Sequence, residues 1–343
     1  MPAQMNIQEF LTTAREIPVV DVRTPAEFTQ GHVVHAHNIP LFADAERARI
    51  GTIYRHRGRE AAILAGLECV GPTLADLARQ ARELAVSNRL LVHCWRGGMR
   101  SASMAWLFET IGIQTGVLRG GYKAYRRHVL ASLAERRQLI VLGGMTGSGK
   151  TDLLHALSER GEQILDLEAI ADHRGSAFGA LGQAPQVSNE HFENRLAEAW
   201  SRLNDNRRVW VEDESQRIGT NYIPNSLYQQ IKDAPLLKLQ INAYDRARRI
   251  VREYGRFGTD GLIAATRRIQ KRLGGERTAA AIKAIEAGNL ETATLIMLDY
   301  YDRTYGYGLE KKHRGPIFPL AFNNENESEK VEAIIQAART ISR

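Results

Sequence analysis

Gln138-Leu139-Ile140-Val141-Leu142-Gly143-Gly144-Met145-Thr146-Gly147-Ser148-Gly149-Lys150-Thr151 is an apolar run that breaks into a glycine-rich loop ending in a cation and a hydroxyl. Its last eight residues, Gly144, Met145, Thr146, Gly147, Ser148, Gly149, Lys150 and Thr151, fill every fixed position of G-x-x-x-x-G-K-[ST]. Residues 138–142 read as a strand, and 152–160 as the helix that the loop opens. The glycines let backbone N–H groups approach phosphate oxygens, Lys150 adds a charge, and Thr151 reaches a metal ion if one is present. This is a site for a di- or triphosphate. Further apolar segments at 163–166, 208–212 and 236–241 alternate with helical stretches, which predicts a parallel sheet wrapped by helices. Residues 328–343 place Val331, Ile334, Ile335, Ala338 and Ile341 on one helical face, a closing amphipathic helix.

Carboxylates follow at a strand end in Val209-Trp210-Val211-Glu212-Asp213-Glu214. Glu212, Asp213 and Glu214 there suit holding a metal's water or a substrate hydroxyl, with Asp213 placed ahead of its neighbours; a surface charge cluster is the plain alternative. Asp172-His173-Arg174-Gly175-Ser176 lies where the sheet's carboxyl edge is expected. His173 reads equally as a cap or packing residue. Arg174 is suited to clamp a phosphate through two hydrogen bonds.

A second anion-holding loop stands upstream: His93-Cys94-Trp95-Arg96-Gly97-Gly98-Met99-Arg100-Ser101. Residues 89–93 read as a buried strand, and 101–111 carry Met104, Trp106, Leu107, Phe108 and Ile111 at the spacing of one buried helical stripe. Cys94 thus falls between a strand and a helix N-terminus, where backbone N–H groups, Gly97, Gly98, Arg96, Arg100 and Ser101 surround a thiolate and an adjacent oxyanion. Glycines and arginines are not core residues, which argues against an inert buried cysteine. Cys69 has no such setting and reads as structural. The loop also fits the cysteine-phosphatase pattern H-C-x-x-G-x-x-R-S, and loop length alone leaves sulfur carriage and phosphate hydrolysis both open.

The chain has 343 residues, 43% hydrophobic and 25% charged, so the composition is that of a globular protein of two domains rather than a disordered or fibrous one. Residues 1–20 lack a leader pattern and no run approaches the length needed to cross a bilayer, so a cytoplasmic protein without a membrane partner is expected. Two cysteines exclude a disulfide framework. The net charge is +7, and its distribution matters more: Arg246, Arg248, Arg249, Arg252, Arg256, Arg267, Arg268, Lys271 and Arg272 form one basic stretch, and Lys123, Arg126, Arg127, His128, Arg136 and Arg137 another. Each alone reads equally as a solvated helix face. Two clusters beside two anion loops favour RNA, with Lys123, Arg126, Arg127, Arg248, Arg249, Arg252 and Arg256 as its contacts.

The upstream block Asp21-Val22-Arg23-Thr24-Pro25-Ala26-Glu27-Phe28, with Gly31-His32 and Asn38-Ile39-Pro40-Leu41, resembles the rhodanese homology domain. Its cysteine carries sulfur or selenium, and the loop here, one residue longer than the commonest rhodanese loop, suits a phosphate-sized anion such as selenophosphate. Joined to Gly120-Gly121-Tyr122-Lys123-Ala124-Tyr125-Arg126, to residues 144–151, to His173-Arg174-Gly175-Ser176 and to Trp210-Val211-Glu212-Asp213-Glu214-Ser215, the whole resembles the tRNA 2-selenouridine synthase family over nearly its full length. The resemblance implies an α/β fold: a rhodanese-like domain at 1–128, a basic helical linker at 129–137, and a P-loop NTPase-like parallel α/β domain at 138–343 with a basic helical insertion at about 243–290. It also implies a tRNA-modifying transferase. Geranyl diphosphate alkylates the sulfur of a 5-substituted 2-thiouridine at the wobble position, and selenium from selenophosphate then replaces the S-geranyl group. Residues 144–151 and Arg174 would bind the diphosphate without ATP hydrolysis, and Cys94 would handle selenium. No tightly bound cofactor or resident metal is expected, Mg²⁺ being compatible with Thr151, and a selenophosphate-producing synthetase would be the donor source. The competing reading is a cysteine-dependent phosphatase or sulfurtransferase fused to a nucleotide-dependent kinase domain.

Overall fold

The computed structural model describes the chain except Met1, Ser176, Ala177, Gly179, Ala180, Asn324, Ser342 and Arg343. It divides into two compact units: 1–132 together with 193–198, and 133–192 together with 199–343.

In the first unit the order is β1 (Ala3–Met5), α1 (Ile7–Thr13), β2 (Val19–Asp21), α2 (Pro25–Gln30), β3 (His37–Asn38), α3 (Asp44–Val70), α4 (Leu74–Leu84), β4 (Arg89–His93), α5 (Met99–Thr110), β5 (Gln114–Leu118) and α6 (Gly121–Ser132). The sheet is parallel throughout, ordered β1-β5-β4-β2-β3. Its middle strand β4 buries Leu90, Leu91, Val92 and His93 on both faces, as a sheet covered by helices requires. Val20, Val92, Met104, Phe108 and Val117 form the core between sheet and helices. Met104 and Phe108 take the buried stripe of α5, but Trp106 is 62% exposed, so the aromatic spacing of that helix overstates its apolar face.

Helix α2 is started by Pro25 and by a reciprocal cap, in which Thr24 Oγ1 accepts from Glu27 N and Glu27 accepts from Thr24 N. Helix α3 bends at Gly58, whose φ of 83° is left-handed. Contrary to the sequence reading, the helical stretch Asp44–Leu84 contains a window long and apolar enough, by length and composition, to cross a membrane. That window is not one helix: Gly71–Thr73, containing Pro72, forms a 3₁₀ turn between α3 and α4. The basic segment expected as a helix to residue 137 is helical only to Ser132.

The second unit runs β6 (Leu139–Gly144), α7 (Lys150–Glu159), β7 (Gln163–Leu165), α8 (Leu167–Ala171), α9 (Asn189–Ser201, of which 193–198 belong to the first unit), β8 (Val209–Glu212), a short hairpin β9 (Arg217–Ile218) and β10 (Asn221–Tyr222), α10 (Asn225–Asp233), β11 (Leu236–Gln240), α11 (Ala243–Tyr254), α12 (Gly258–Arg268), α13 (Gln270–Leu273), α14 (Gly275–Glu286), α15 (Leu290–Lys312), β12 (Ile317–Ala321) and α16 (Glu327–Ile341). Its main sheet is parallel, ordered β12-β11-β6-β8-β7. Leu142, Leu154, Trp210 and Leu239 join Ile334 and Ala338 of α16 in one core. The helices α11–α15, together with Phe178, form a second apolar cluster and extend to Lys312, beyond the insertion expected at 243–290.

Candidate functional site

Cys94 follows β4 and is 3% exposed; its Sγ lies 3.2 Å from Ser101 Oγ in the first turn of α5, and Ser101 Oγ donates to Gly98 O at 3.0 Å. The loop is fastened from behind by α6, where Tyr122 N–H donates to Cys94 O at 2.8 Å and Lys123 N–H to Trp95 O at 3.0 Å. That approach demands glycine twice. Gly121 (φ 57°) has no room for a side chain against Cys94 O, and a Cβ on Gly97 (φ 66°) would sit 2.6 Å from Leu118 O.

Beneath the loop, Arg23 is buried with Asp21 in a 2.6 Å ion pair, and its guanidinium stacks 3.7 Å from the Tyr122 ring centroid. His93 is fully buried beside them, its Nε2 3.7 Å from Asp21 Oδ2, and burial holds its pKa below the ordinary value. Arg96 is exposed. Arg100 forms an ion pair with Glu27 at 2.7 Å, so one expected anion donor is held by a carboxylate; burial would raise the Glu27 pKa, but Arg100, the Thr24 N–H and Arg23 together keep it low. Displacing Glu27 would free Arg100 for an anion.

In the second unit, Gly144 closes β6 and Gly149 (φ 78°) caps α7. Lys150 Nζ donates to Gly144 O at 3.0 Å, and Gly144 N–H donates to Tyr305 Oη of α15 at 2.9 Å. Ser148 Oγ is buried without a hydrogen-bond partner. Arg246, expected within a basic RNA-facing stretch, is 3% exposed: it pairs with Asp302 through bonds of 2.8 and 2.7 Å and donates to Thr146 O at 3.1 Å. It fastens the loop instead.

Next to the loop, carboxylate oxygens of Glu168, Glu212 and Glu214 lie within 4.8 Å of one another. Glu168 follows β7 on α8, and Glu212 ends β8. Thr151 Oγ1 donates to Glu168 at 3.4 Å, and Glu212 Oε1 is buried with no hydrogen-bond partner. Burial lifts all three pKa values well above the usual carboxylate range; Glu214 and Glu212 push Glu168 further up, while Lys150 opposes the rise. Gly175 passes close by, and a Cβ there would meet Glu214 Oε2 at 2.5 Å and Glu168 Oε1 at 2.7 Å. Asp213, ranked first among the strand-end acids from sequence, stands apart from the three, on the side of Tyr305, whose pKa its charge helps to raise.

One cavity of about 690 Å³ takes in Gly144, Thr146, Gly147, Gly149, Lys150 and Thr151 of the loop, these carboxylates, Arg174 and Arg249. Arg174 is paired there with Glu253 and stacked 5.7 Å from the Tyr254 ring centroid. Arg249, expected on the RNA surface, lies against Gly149 and pairs with Asp152. Arg248, Arg252 and Arg256 are exposed, Arg248 3.8 Å from Asp245. Lys123 and Arg127 are exposed on α6, but Arg126 is engaged by Glu193 and, at 2.6 Å, by Asn194. Ser176 lies outside the described residues.

A family model described as the tRNA 2-selenouridine synthase AAA domain matches residues 137–339, and a rhodanese-like domain model matches 7–128. The chain belongs to the tRNA 2-selenouridine synthase family. Similar proteins of that name include one from Nitrosomonas europaea, 33% identical with 88% of this chain and 92% of that protein covered. Those from Bordetella petrii and Bordetella bronchiseptica are 35% and 36% identical, covering 89% and 88% of this chain and 90% and 91% of theirs. In this member of the tRNA 2-selenouridine synthase family, sequence reasoning missed Glu168 and Tyr305. Glu168 carried a faint signal, an acid just past an apolar strand. Tyr305 carried none, because it meets the loop from 161 residues away.

Proposed function

We propose that this protein is a tRNA 2-selenouridine synthase, a transferase acting on 5-substituted 2-thiouridine at the wobble position of tRNA. In the first step the base sulfur attacks the first carbon of geranyl diphosphate, the C–O bond breaks, and diphosphate leaves with the bonding electrons. Residues 144–151 cradle the diphosphate, while Lys150, Arg174 and Arg249 stabilise its developing charge. In the second step Cys94 presents selenium from selenophosphate to C2 of the base. The C2–Se bond forms, the C2–S bond breaks, geranylthiol departs with a proton, and water completes the exchange by releasing phosphate. A selenophosphate-producing synthetase supplies the donor, and the reaction is cytoplasmic.

Support for this division comes above all from the presence of two sites in one chain: a phosphate loop that opens, with its carboxylate cluster, onto a cavity in one unit, and a cysteine whose loop is closely approached by glycine backbone in the other. The carboxylates also fit a divalent ion. An oxygen-only donor set containing a buried, unpartnered Glu212 oxygen suits a hard cation such as Mg²⁺, held by Glu168, Glu212 and Glu214 beside Thr151. Such an ion would neutralise charge on the diphosphate.

The test incubates tRNA bearing 5-substituted 2-thiouridine with geranyl diphosphate and selenophosphate, then weighs the digested nucleosides. Wild type yields the selenouridine, Cys94→Ser stops at the S-geranyl nucleoside, and Lys150→Ala yields neither. No mass change with wild type, together with metal-dependent ATP or GTP turnover, would replace this reading by the kinase fusion.

A further inference from the structure

We propose that the apolar end of the cavity behind the phosphate loop holds the isoprenoid chain of the diphosphate substrate, and that Ala293 and Met297 of α15 set the chain length it accepts. The inference rests on the geranyl diphosphate reading and assigns the residues that would give it selectivity.

The cavity has two chemically distinct ends. At one end lie Gly144, Lys150, Thr151 and the carboxylates; from the helical segment its wall takes Leu262 of α12, Ile269 between α12 and α13, Ile285 of α14, and Ala293 and Met297 of α15, with Arg272, Tyr300 and Tyr301 also lining it. These five are at most 8% exposed and belong to the apolar cluster of the helical segment. Thr294, on the same stretch of α15, turns its hydroxyl back to Leu290 O at 2.7 Å, so its donor is spent on its own helix. Cores normally close at near-crystalline packing density, and a space left open among aliphatic side chains costs stability unless something fills it. An aliphatic surface such as these five residues form takes apolar guests, whereas a purine laid against it would leave its ring donors and acceptors unmatched. An occupant with phosphates at one end and hydrocarbon at the other satisfies both halves.

Ala293 and Met297 are four residues apart and therefore stack on one helical face. Ala293 is fully buried, so a larger side chain there would project into the cavity. Met297 is an unbranched, adaptable side chain whose removal would deepen it. Chain length is thus read by side-chain volume on one turn of α15.

The experiment titrates the full-length protein, in Mg²⁺, with inorganic diphosphate, ADP, and dimethylallyl, geranyl and farnesyl diphosphates by calorimetry. Wild type should bind geranyl diphosphate about tenfold or more tighter than inorganic diphosphate or ADP. Ala293→Leu should lose about tenfold for geranyl diphosphate while keeping its affinity for dimethylallyl diphosphate, and Met297→Ala should shift the ranking toward farnesyl diphosphate. Inorganic diphosphate, which touches only the loop, reports that each variant is folded. Equal binding of geranyl and inorganic diphosphate by wild type, a preference for ADP, or an unchanged ranking in the folded variants overturns the proposal. Geranyl transfer to tRNA with unchanged ranking would sink the chamber alone. The expected rankings without any transfer to tRNA would sink the proposed reaction and leave the chamber standing.

Discussion

Tyr305 of α15 accepts the Gly144 N–H at 2.9 Å and lies within the electrostatic reach of Asp213. One side chain from the helical segment therefore joins the first residue of the phosphate loop to the acidic end of β8. Burial and the Asp213 carboxylate raise its pKa, which keeps the phenol protonated. Tyr305→Phe removes the acceptor of a part-buried backbone donor, a loss of about 1–3 kcal/mol. Thermal unfolding should show a midpoint lowered by several degrees, on the order of 2–4 °C per kcal/mol for a unit of this size. An unchanged midpoint would mean that water replaces the hydroxyl at no cost.

Gly121→Ala should separate the two chemical steps. A methyl group at this left-handed position has no room against Cys94 O, so the cysteine loop would have to shift, at a cost of about 1–3 kcal/mol. The S-geranyl nucleoside should still form while its conversion to selenouridine is lost. Full conversion by the variant would show that Cys94 tolerates a displaced backbone.

Acidity should act with opposite signs at two places in the second unit. Glu168, Glu212 and Glu214 have folded pKa values above the ordinary 4.5, so the folded state binds more protons than the unfolded one, and stability falls as pH rises from that value through neutrality. Glu162 behaves conversely. Its bonds from Arg208 and Trp210 hold its pKa below 4.5, and its stabilisation is lost as pH falls through the lowered value. In metal-free buffer the melting temperature should decline between about pH 6 and about pH 9, and Glu168→Gln should flatten that decline. A flat wild-type profile would contradict the crowding of the carboxylates.

The basic residues of α11 should divide by function. Charge reversal at Arg248 and Arg252 should weaken tRNA binding and reduce the slope of log affinity against log salt by about two. Arg249→Ala should leave that slope nearly unchanged and weaken diphosphate binding, since Arg249 lies against Gly149. Identical salt slopes for both sets would reject this division.

The strands leading into both loops, and both loops themselves, were legible because each is local: an apolar run, a glycine turn and a helix start lie within about a dozen residues, whereas β1, β3, β5 and β12 were not read. The closing helix was legible for the same reason, Val331, Ile334, Ile335 and Ala338 being buried as their spacing requires. What escaped was long-range pairing. Charge clustering cannot distinguish buried Arg246, held by Asp302, from exposed Arg252, because the carboxylate that decides the matter lies 56 residues away. Likewise, three consecutive acids give no ranking until the backbone sends Glu212 and Glu214 toward Glu168 and Asp213 toward Tyr305. Trp106 failed for another reason: helical spacing names a stripe but not its width.

Arg246 reaches both the carbonyl of Thr146 and the carboxylate of Asp302, so a single guanidinium ties the phosphate loop to helices added after the central strands. Those helices are consequently no removable ornament. A truncated protein lacking them would leave the loop's carbonyl without its donor and strip the cavity of its apolar wall. The phosphate-loop fold and its helical extension should therefore melt as one cooperative body, and neither should be recoverable as an independent fragment.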